Sequence, residues 1–306
     1  MASLKLMLEY FHPWPNSAGF YLARERGWYA ELGLDVELRV ADPERGDSLQ
    51  HLVEQQVELA VCPSNRLLVR RDQGQPVVGV AAINHAGLEA FQTLREFAIE
   101  RPRDLMGKRL AMNPTPRGLA MVRDLVRQDG GDPDAVIIVD SGARELRPEE
   151  LAAGIADASF GGYWAWEALM DSPIAAERRV VHRVSDWGAP AYHSYLLAAG
   201  DAWLAANGTT LRAFIHASKR GFEAVAQDPS LALAAYERVI PYFPSHLIER
   251  SLQHIAPTWL HEGQWGLQRQ ALVEPYAHWL HEHGIVGRPD AWHQAITNDY
   301  LTEPQA

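Results

Sequence analysis

Between Leu4 and Asn84 the chain alternates short apolar runs with amphipathic stretches, and that alternation restricts it to a layered α/β architecture. LKLMLEY (4–10) reads as a strand, and SAGFYLARERGWYAELG (17–33) as a helix. In that helix Phe20, Leu22, Ala23, Trp28 and Leu32 fall on one side, while Arg24, Glu25 and Arg26 fall on another. Gly33 is placed to end it. LDVELRV (34–40) alternates as a half-buried strand, a polar helix follows around 46–56, and VELAVCP (57–63) is strand again. SNRLLVRRDQG (64–74) then predicts a helix and PVVGVAAIN (76–84) a buried strand. The order predicts a parallel sheet covered by helices.

The middle of the chain repeats the scheme. GKRLAM (107–112), AVIIVD (135–140) and IADASFGG (155–162) read as strands, with helices over GLAMVRDLVRQDGG (118–131) and RPEELAAG (147–154) between them. Beyond about residue 200 only helices are predicted, at 209–227, 229–240, 244–255 and 266–283. In the first of these Leu211, Phe214, Ile215, Phe222 and Val225 form a stripe that packs a core. A chain of 306 residues exceeds the size at which single cores usually stop growing. Two α/β units are therefore expected, with the chain crossing between them more than once.

Composition excludes several function classes. With 47% hydrophobic and 22% charged residues the balance is that of a globular domain. The net charge is -11 and no run rich in Lys or Arg occurs, so a nucleic-acid footprint is absent. The apolar runs are too short to cross a bilayer. MASLKLMLEYFHPWPNS has neither the basic start nor the apolar stretch of a secretory signal. Location is thus conditional: periplasmic or cell-surface if an export signal has been removed, cytoplasmic if Met1 is the true start. Cys62 is the only cysteine, so no internal disulfide can form.

In open α/β sheets ligands bind outside the carboxyl ends of the strands. After the first strand comes EYFHPWPNSAG (9–19), with Tyr10, Phe11 and Trp14 as an aromatic wall and Asn16–Ser17 as a helix N-cap. Ser64 and Asn65 follow the third strand, His85 the fourth, and Thr115 the strand at 107–112, where free N–H groups at a helix start could hold an anion or carbonyl. Arg117 near that helix start keeps an anion in play. The strand at 155–162 runs into GGYWAWE. A helix from Tyr163 puts Glu167 one turn on, on the same face, with Trp164 adjacent. A ring that stacks on a flat heterocycle and a carboxylate that accepts from its amine make a receptor for a nitrogen heterocycle. Taken singly, each of these residues is as well explained as a core anchor or a solvated charge. Their convergence at a strand end favours a site.

HWLHEHG (278–284) brings His278, His281, Glu282 and His283 together, but without an accompanying metal framework it reads as solvent-facing helix-end histidines. No metal or cofactor is expected. Neither GxSxG, P-loop nor GxGxxG occurs. A lone strand-end cysteine such as Cys62 is more often a small apolar residue than a nucleophile.

FYLARERGWYAELGLDVEL (20–38) resembles the opening of the SsuA/THI5-like (NMT1) family of type 2 periplasmic-binding-protein folds. The resemblance continues through 53–83, RPRDLMGKRLAM (101–112), IADASFGGYWAWEAL (155–169) and 201–232. It implies two lobes around a cleft that closes on a small molecule. Members include solute receptors of ABC importers, for pyrimidine thiamine precursors, sulfonates, nitrate and riboflavin, and a pyrimidine synthase. In the pyrimidine-precursor receptors a Tyr and a Glu four apart contact the heterocycle, and these match Tyr163 and Glu167. The family's first-turn pair matches Tyr10 and Phe11. The synthase uses a Lys that holds pyridoxal phosphate and a His, where this chain has Cys62 and Arg66, and its cysteine-rich run is replaced by DWGAPAYHSYL (186–196). Without that amine, imidazole and thiols the synthase chemistry lacks its parts.

The expectation is a two-lobed α/β solute-binding protein with a helical carboxyl-terminal segment. Residues 1–86 with 190–306 would form one lobe and 87–189 the other. The expected ligand is a small planar amino-heterocycle, a pyrimidine related to thiamine precursors, and the expected partner is the permease of an ABC importer. Tyr10, Phe11, Trp14, Tyr163 and Trp164 would wall the ligand and Glu167 would read its amine, with Ser64, Asn65, His85 and Thr115 as further contacts. The alternative is a cytoplasmic enzyme of related small-molecule metabolism, with His85 or His193 as acid and base and Cys62 as nucleophile.

Overall fold

The structure is a computed structural model and describes residues 1–10, 14–40, 42, 46–142, 144–162 and 171–302. The chain forms two compact units, Met1–Ala86 with Tyr192–Ala306, and Gly87–Ala191. It opens with β1 (Ala2–Leu8), α1 (Ala18–Glu25), α2 (Trp28–Glu31), β2 (Leu34–Val40), α3 (Ser48–Val53), β3 (Leu59–Pro63), α4 (Ser64–Asp72) and β4 (Val77–Ala82). The second unit holds β5 (Glu89–Leu94), β6 (Arg109–Met112), α5 (Pro116–Gln128), β7 (Ile137–Asp140), α6 (Pro148–Ala152), β8 (Ala158–Gly162) and β9 (Arg179–Arg183). The chain then returns with β10 (Tyr195–Gly200), α7 (Asp201–Gln227), α8 (Leu233–Val239), α9 (Ser245–Ile255) and α10 (Gln270–Glu282).

Each unit is built on a five-stranded sheet, in the orders β2-β1-β3-β10-β4 and β7-β6-β8-β5-β9. The expected parallel sheets are in fact mixed. β10 runs antiparallel between β3 and β4, and β5 antiparallel between β8 and β9. In both cases the strand that breaks the pattern is the first one laid down after the chain changes unit, so no crossover helix precedes it to reverse its direction. β5 carries Glu89 and Gln92 and β9 reads RVVHR, so neither shows the apolar run that marked the other strands.

The expected helix over 17–33 is broken. Gly27 takes φ +73 and starts a new short helix, and Gly33, also at φ +73, ends it as predicted. α1 buries Phe20, Tyr21 and Leu22 beneath α7. Phe20 lies 5.9 Å from Phe214 and meets Phe222 edge-on at 5.0 Å. The two helices approach this closely because glycines face each other. A Cβ on Gly221 would sit 2.0 Å from the Gly19 carbonyl oxygen, and one on Gly19 would sit 2.3 Å from the Phe222 ring. α7 begins earlier than the sequence pattern indicated and bends at Asn207, where φ is -127.

Gly221→Ala is expected to force α1 and α7 apart and destabilise the protein by about 1–3 kcal/mol, read as a lowered midpoint in denaturant unfolding.

Candidate functional site

In the first unit β1, β2, β3 and β4 all point the same way, so their carboxyl ends share one edge of the sheet, where β10 begins. Tyr10, Ser64 and His85 follow those ends, and Tyr195 sits opposite Pro63. The Tyr10 and Tyr195 hydroxyls are hydrogen-bonded to each other. The Tyr10 ring lies 5.3 Å from Trp14 and 5.8 Å from Tyr195, and all three are partly exposed. Tyr195 completes an aromatic surface that sequence reasoning assigned to Tyr10 and Trp14, with Phe11, which lies outside the described residues. Its own strand carries the signal only through pairing with β3. The Trp14 carbonyl accepts from the Tyr236 hydroxyl at 2.6 Å, which fixes the turn to α8.

Ser17 occupies the predicted N-cap position of α1 but makes no side-chain capping bond, and Asn16 takes no part in the cap. Asn16 is instead buried against Asn84, each amide donating to the other at 3.0 and 2.9 Å. Thr258 and the Trp259 indole extend this network, the indole donating to Asn16 Oδ1 at 2.8 Å. The turn after β1 is thereby locked to the turn after β4.

Next to Asn84 stand three imidazoles. His85 is 5.1 Å from His193 and 5.7 Å from His261, centroid to centroid. His193 is 1% exposed, with Nδ1 2.9 Å from the Asn84 carbonyl and Nε2 accepting the Arg269 backbone N–H at 2.9 Å. That pattern fixes the neutral ring with its proton on Nδ1. Burial, reinforced by Arg269 and His261, pulls its pKa down to about 4. Burial, with His193, Arg269 and His261 adding to it, takes His85 down to about 3, and both of its buried ring nitrogens lack a partner among the described residues. The Ser64 Oγ is likewise buried without one, and Asn65 lies partly buried in the first turn of α4. Cys62 is fully buried in the apolar core and burial pushes its thiol well up, so it is protonated and a poor nucleophile. His193 has both nitrogens committed. Neither residue is set up for the enzyme roles considered above.

Arg66 donates to Glu9 Oε1 and approaches Asp47 at 3.4 Å, and Arg70 grips Asp47 with bonds of 2.9 and 3.0 Å. Burial raises the Glu9 carboxyl pKa, while Arg66 and Ser48 oppose the rise. A separate cavity of about 310 Å³ is lined by Met7, Arg39, Val40, Asp42, His51 and Gln56. It contains none of the residues predicted for the site.

In the second unit β6, β7, β8 and β9 share a direction, and their carboxyl edge receives the start of β5. Thr115 caps α5, its hydroxyl oxygen accepting the Gly118 N–H at 3.1 Å. Arg117 is buried and pairs with Glu89, which faces Gly162 in the sheet register. Glu145 reaches over the paired glycines: its Oε1 accepts the Gly162 N–H at 2.9 Å, and a Cβ on Gly161 would sit 2.3 Å from its Cγ. Burial raises the Glu145 pKa against the pull of that N–H. Sequence reasoning missed Glu89 and Glu145; the glycine pair was the available signal, since it leaves room for a side chain. Tyr163, Trp164 and Glu167 lie outside the described residues.

The helix-end histidines fold back on the backbone, His283 Nδ1 at 2.8 Å from the Trp279 carbonyl and His281 Nδ1 at 3.2 Å from Val286. Among the described residues no group of three or more His, Cys, Asp or Glu is placed to hold a metal ion, and no helix is long and apolar enough to cross a membrane.

A family model described as NMT1/THI5 like matches residues 14–232. The chain belongs to the NMT1/THI5-like family. Its relatives include the formylaminopyrimidine-binding protein of Halalkalibacterium halodurans, 28% identical over 240 residues, covering 76% of this chain and 69% of that one. Another is the 4-amino-5-hydroxymethyl-2-methylpyrimidine phosphate synthase of Aspergillus parasiticus, 24% identical over 241 residues with the same coverage. Among solved structures the alkanesulfonate-binding protein SsuA of Xanthomonas axonopodis pv. citri has the same fold, with a TM-score of 0.69 at 14% identity over 97% of this chain and 98% of that one. The NMT1/THI5-like chain described here thus has the two-lobed periplasmic-binding-protein fold of type 2.

The depressed His193 pKa predicts a pH dependence. As pH falls below 6.5, the ordinary value, the unfolded chain takes a proton that the folded ring refuses until about 4. The stability present above 6.5 drains across that window, by about 1.4 kcal/mol for each unit traversed. Thermal melting from about pH 7.5 to about pH 4.5 should show a shallower decline for His193→Gln than for wild type.

Proposed function

We propose that the protein is a solute receptor that captures a small planar amino-heterocycle, a pyrimidine of the thiamine-precursor type, and delivers it to the permease of an ABC importer. The observation that carries this reading is the 28% identity to a formylaminopyrimidine-binding protein across 76% of the chain. The state of Cys62 and Arg66 supports it. At these positions the resemblance to the synthase calls for an amine and an imidazole, whereas here one residue is a buried thiol and the other a guanidinium held by Glu9. In this proposal Tyr10, Phe11 and Trp14 present rings to one face of the ligand and Tyr163 and Trp164 to the other. Glu167 accepts from the exocyclic amine, and Ser64, Asn65, His85 and Thr115 add polar contacts. His85 suits such a role, because an imidazole with a pKa near 3 stays neutral and can donate or accept. Ligand capture would draw the two lobes together by a hinge motion, and the protein would work on the outer side of the membrane that holds its permease.

Calorimetric titration with 4-amino-5-hydroxymethyl-2-methylpyrimidine tests the reading. Binding by wild type, with Glu167→Gln weaker by about tenfold or more, is the expected result, as for loss of a charge-assisted hydrogen bond. Equal affinity in the two proteins removes Glu167 from its role, and no binding by wild type removes the pyrimidine.

A further inference from the structure

We propose that Glu145 is a second ligand-reading carboxyl, which pairs with the amine-bearing edge of an aminopyrimidine at the carboxyl end of β8. The assignment rests on the pyrimidine reading above and adds to it a residue from a different stretch of the chain. Three observations carry it. First, the Gly161–Gly162 pair is shaped to this side chain: any Cβ at 161 would overlap Glu145, and the Gly162 N–H holds Oε1 in place. Second, no ion pair engages the Glu145 carboxyl among the described residues, whereas the neighbouring Glu89 is neutralised by Arg117. A carboxyl sunk into protein without a cation is costly to ionise unless a ligand supplies donors. Third, Glu145 keeps part of its surface exposed and is bonded to Gly162, the last residue of β8, at the carboxyl edge where ligands of open α/β folds bind.

The chemistry suits a 4-aminopyrimidine. Its exocyclic N–H and adjacent ring nitrogen form a donor and an acceptor side by side, and a carboxyl that retains its proton presents the matching acceptor and donor. Oε1 has a lone pair left after accepting from Gly162, and Oε2 carries the proton toward the ring nitrogen. Burial raises the pKa of this carboxyl above its ordinary value against the pull of the Gly162 N–H, the direction this pairing needs. A carboxylate already paired with an arginine, as at Glu89, could not offer that donor.

Glu145→Gln keeps an oxygen for the Gly162 N–H and presents the same acceptor and donor pair, so it is the conservative control, whereas Glu145→Met removes both polar atoms. Two probes are titrated by calorimetry, 4-amino-5-hydroxymethyl-2-methylpyrimidine and the analogue lacking the 4-amino group. Wild type should bind the amino probe about tenfold or more tightly than the analogue. Glu145→Met should weaken the amino probe by about tenfold or more, and by more than the analogue, while Glu145→Gln stays within about threefold of wild type on both probes. Unchanged affinity of Glu145→Met for the amino probe, equal weakening of both probes by that change, a loss in Glu145→Gln as large as in Glu145→Met, or equal binding of both probes by wild type overturns the assignment and leaves the receptor reading standing. Binding of neither probe by wild type overturns the pyrimidine reading and this assignment with it. Should Glu145→Met fail to fold, Glu145→Asp, which withdraws the carboxyl by one methylene, reads the same selective loss.

Discussion

Strands that share a direction deliver their last residues to one edge, and everything of functional interest in this molecule depends on that. In the first unit four strands end together, so that residues as distant in sequence as Tyr10 and His85 become neighbours of the same sheet edge. In the second unit the same constraint gathers Thr115, Arg117 and the paired glycines. The two reversed strands serve the arrangement as well, because each contributes its first residue, Tyr195 or Glu89, to that edge.

What keeps these edges ordered is polar rather than apolar. Loops at strand ends have little core to hold them, and an unpaired buried amide costs about 1–3 kcal/mol. The reciprocal bonds of Asn16 and Asn84, with Thr258 and Trp259 attached, satisfy those groups and tie three separate turns together. His193 does the same work beside them, joining the Asn84 carbonyl to the Arg269 N–H. An imidazole in that position is a structural clamp. The His85 ring nitrogens and the Ser64 Oγ, which have no hydrogen-bond partner among the described residues, stand beside this scaffold rather than within it.

Much of the fold was legible because burial leaves a period in the sequence. Strands covered on both faces, such as VVGVAA and LAVCP, are continuous apolar runs, and the helices carry one-sided stripes. The strands that escaped notice were short or studded with polar residues, and what makes them strands is the partner on either side. The candidate site was legible only in local contacts: Tyr10 and Trp14, expected together in the turn after β1, lie in ring contact. It was illegible where contacts join distant segments. Glu145 sits in a charged stretch that resembles any helix start, and only the glycines sixteen and seventeen residues further on give it a place. Asn16 shows the converse error: read as part of a local cap, it is held instead by a tertiary partner, while Ser17 alone takes the N-cap position.

The insertion of β10 between β3 and β4 has a consequence for biogenesis. When β4 emerges from the ribosome its neighbour in the sheet is still more than a hundred residues away, so the first unit waits half-built with apolar strand edges exposed. The second unit, which is continuous in sequence, has no such delay. A nascent chain of this design therefore completes its middle before its beginning, and meanwhile depends on whatever shields the unfinished sheet.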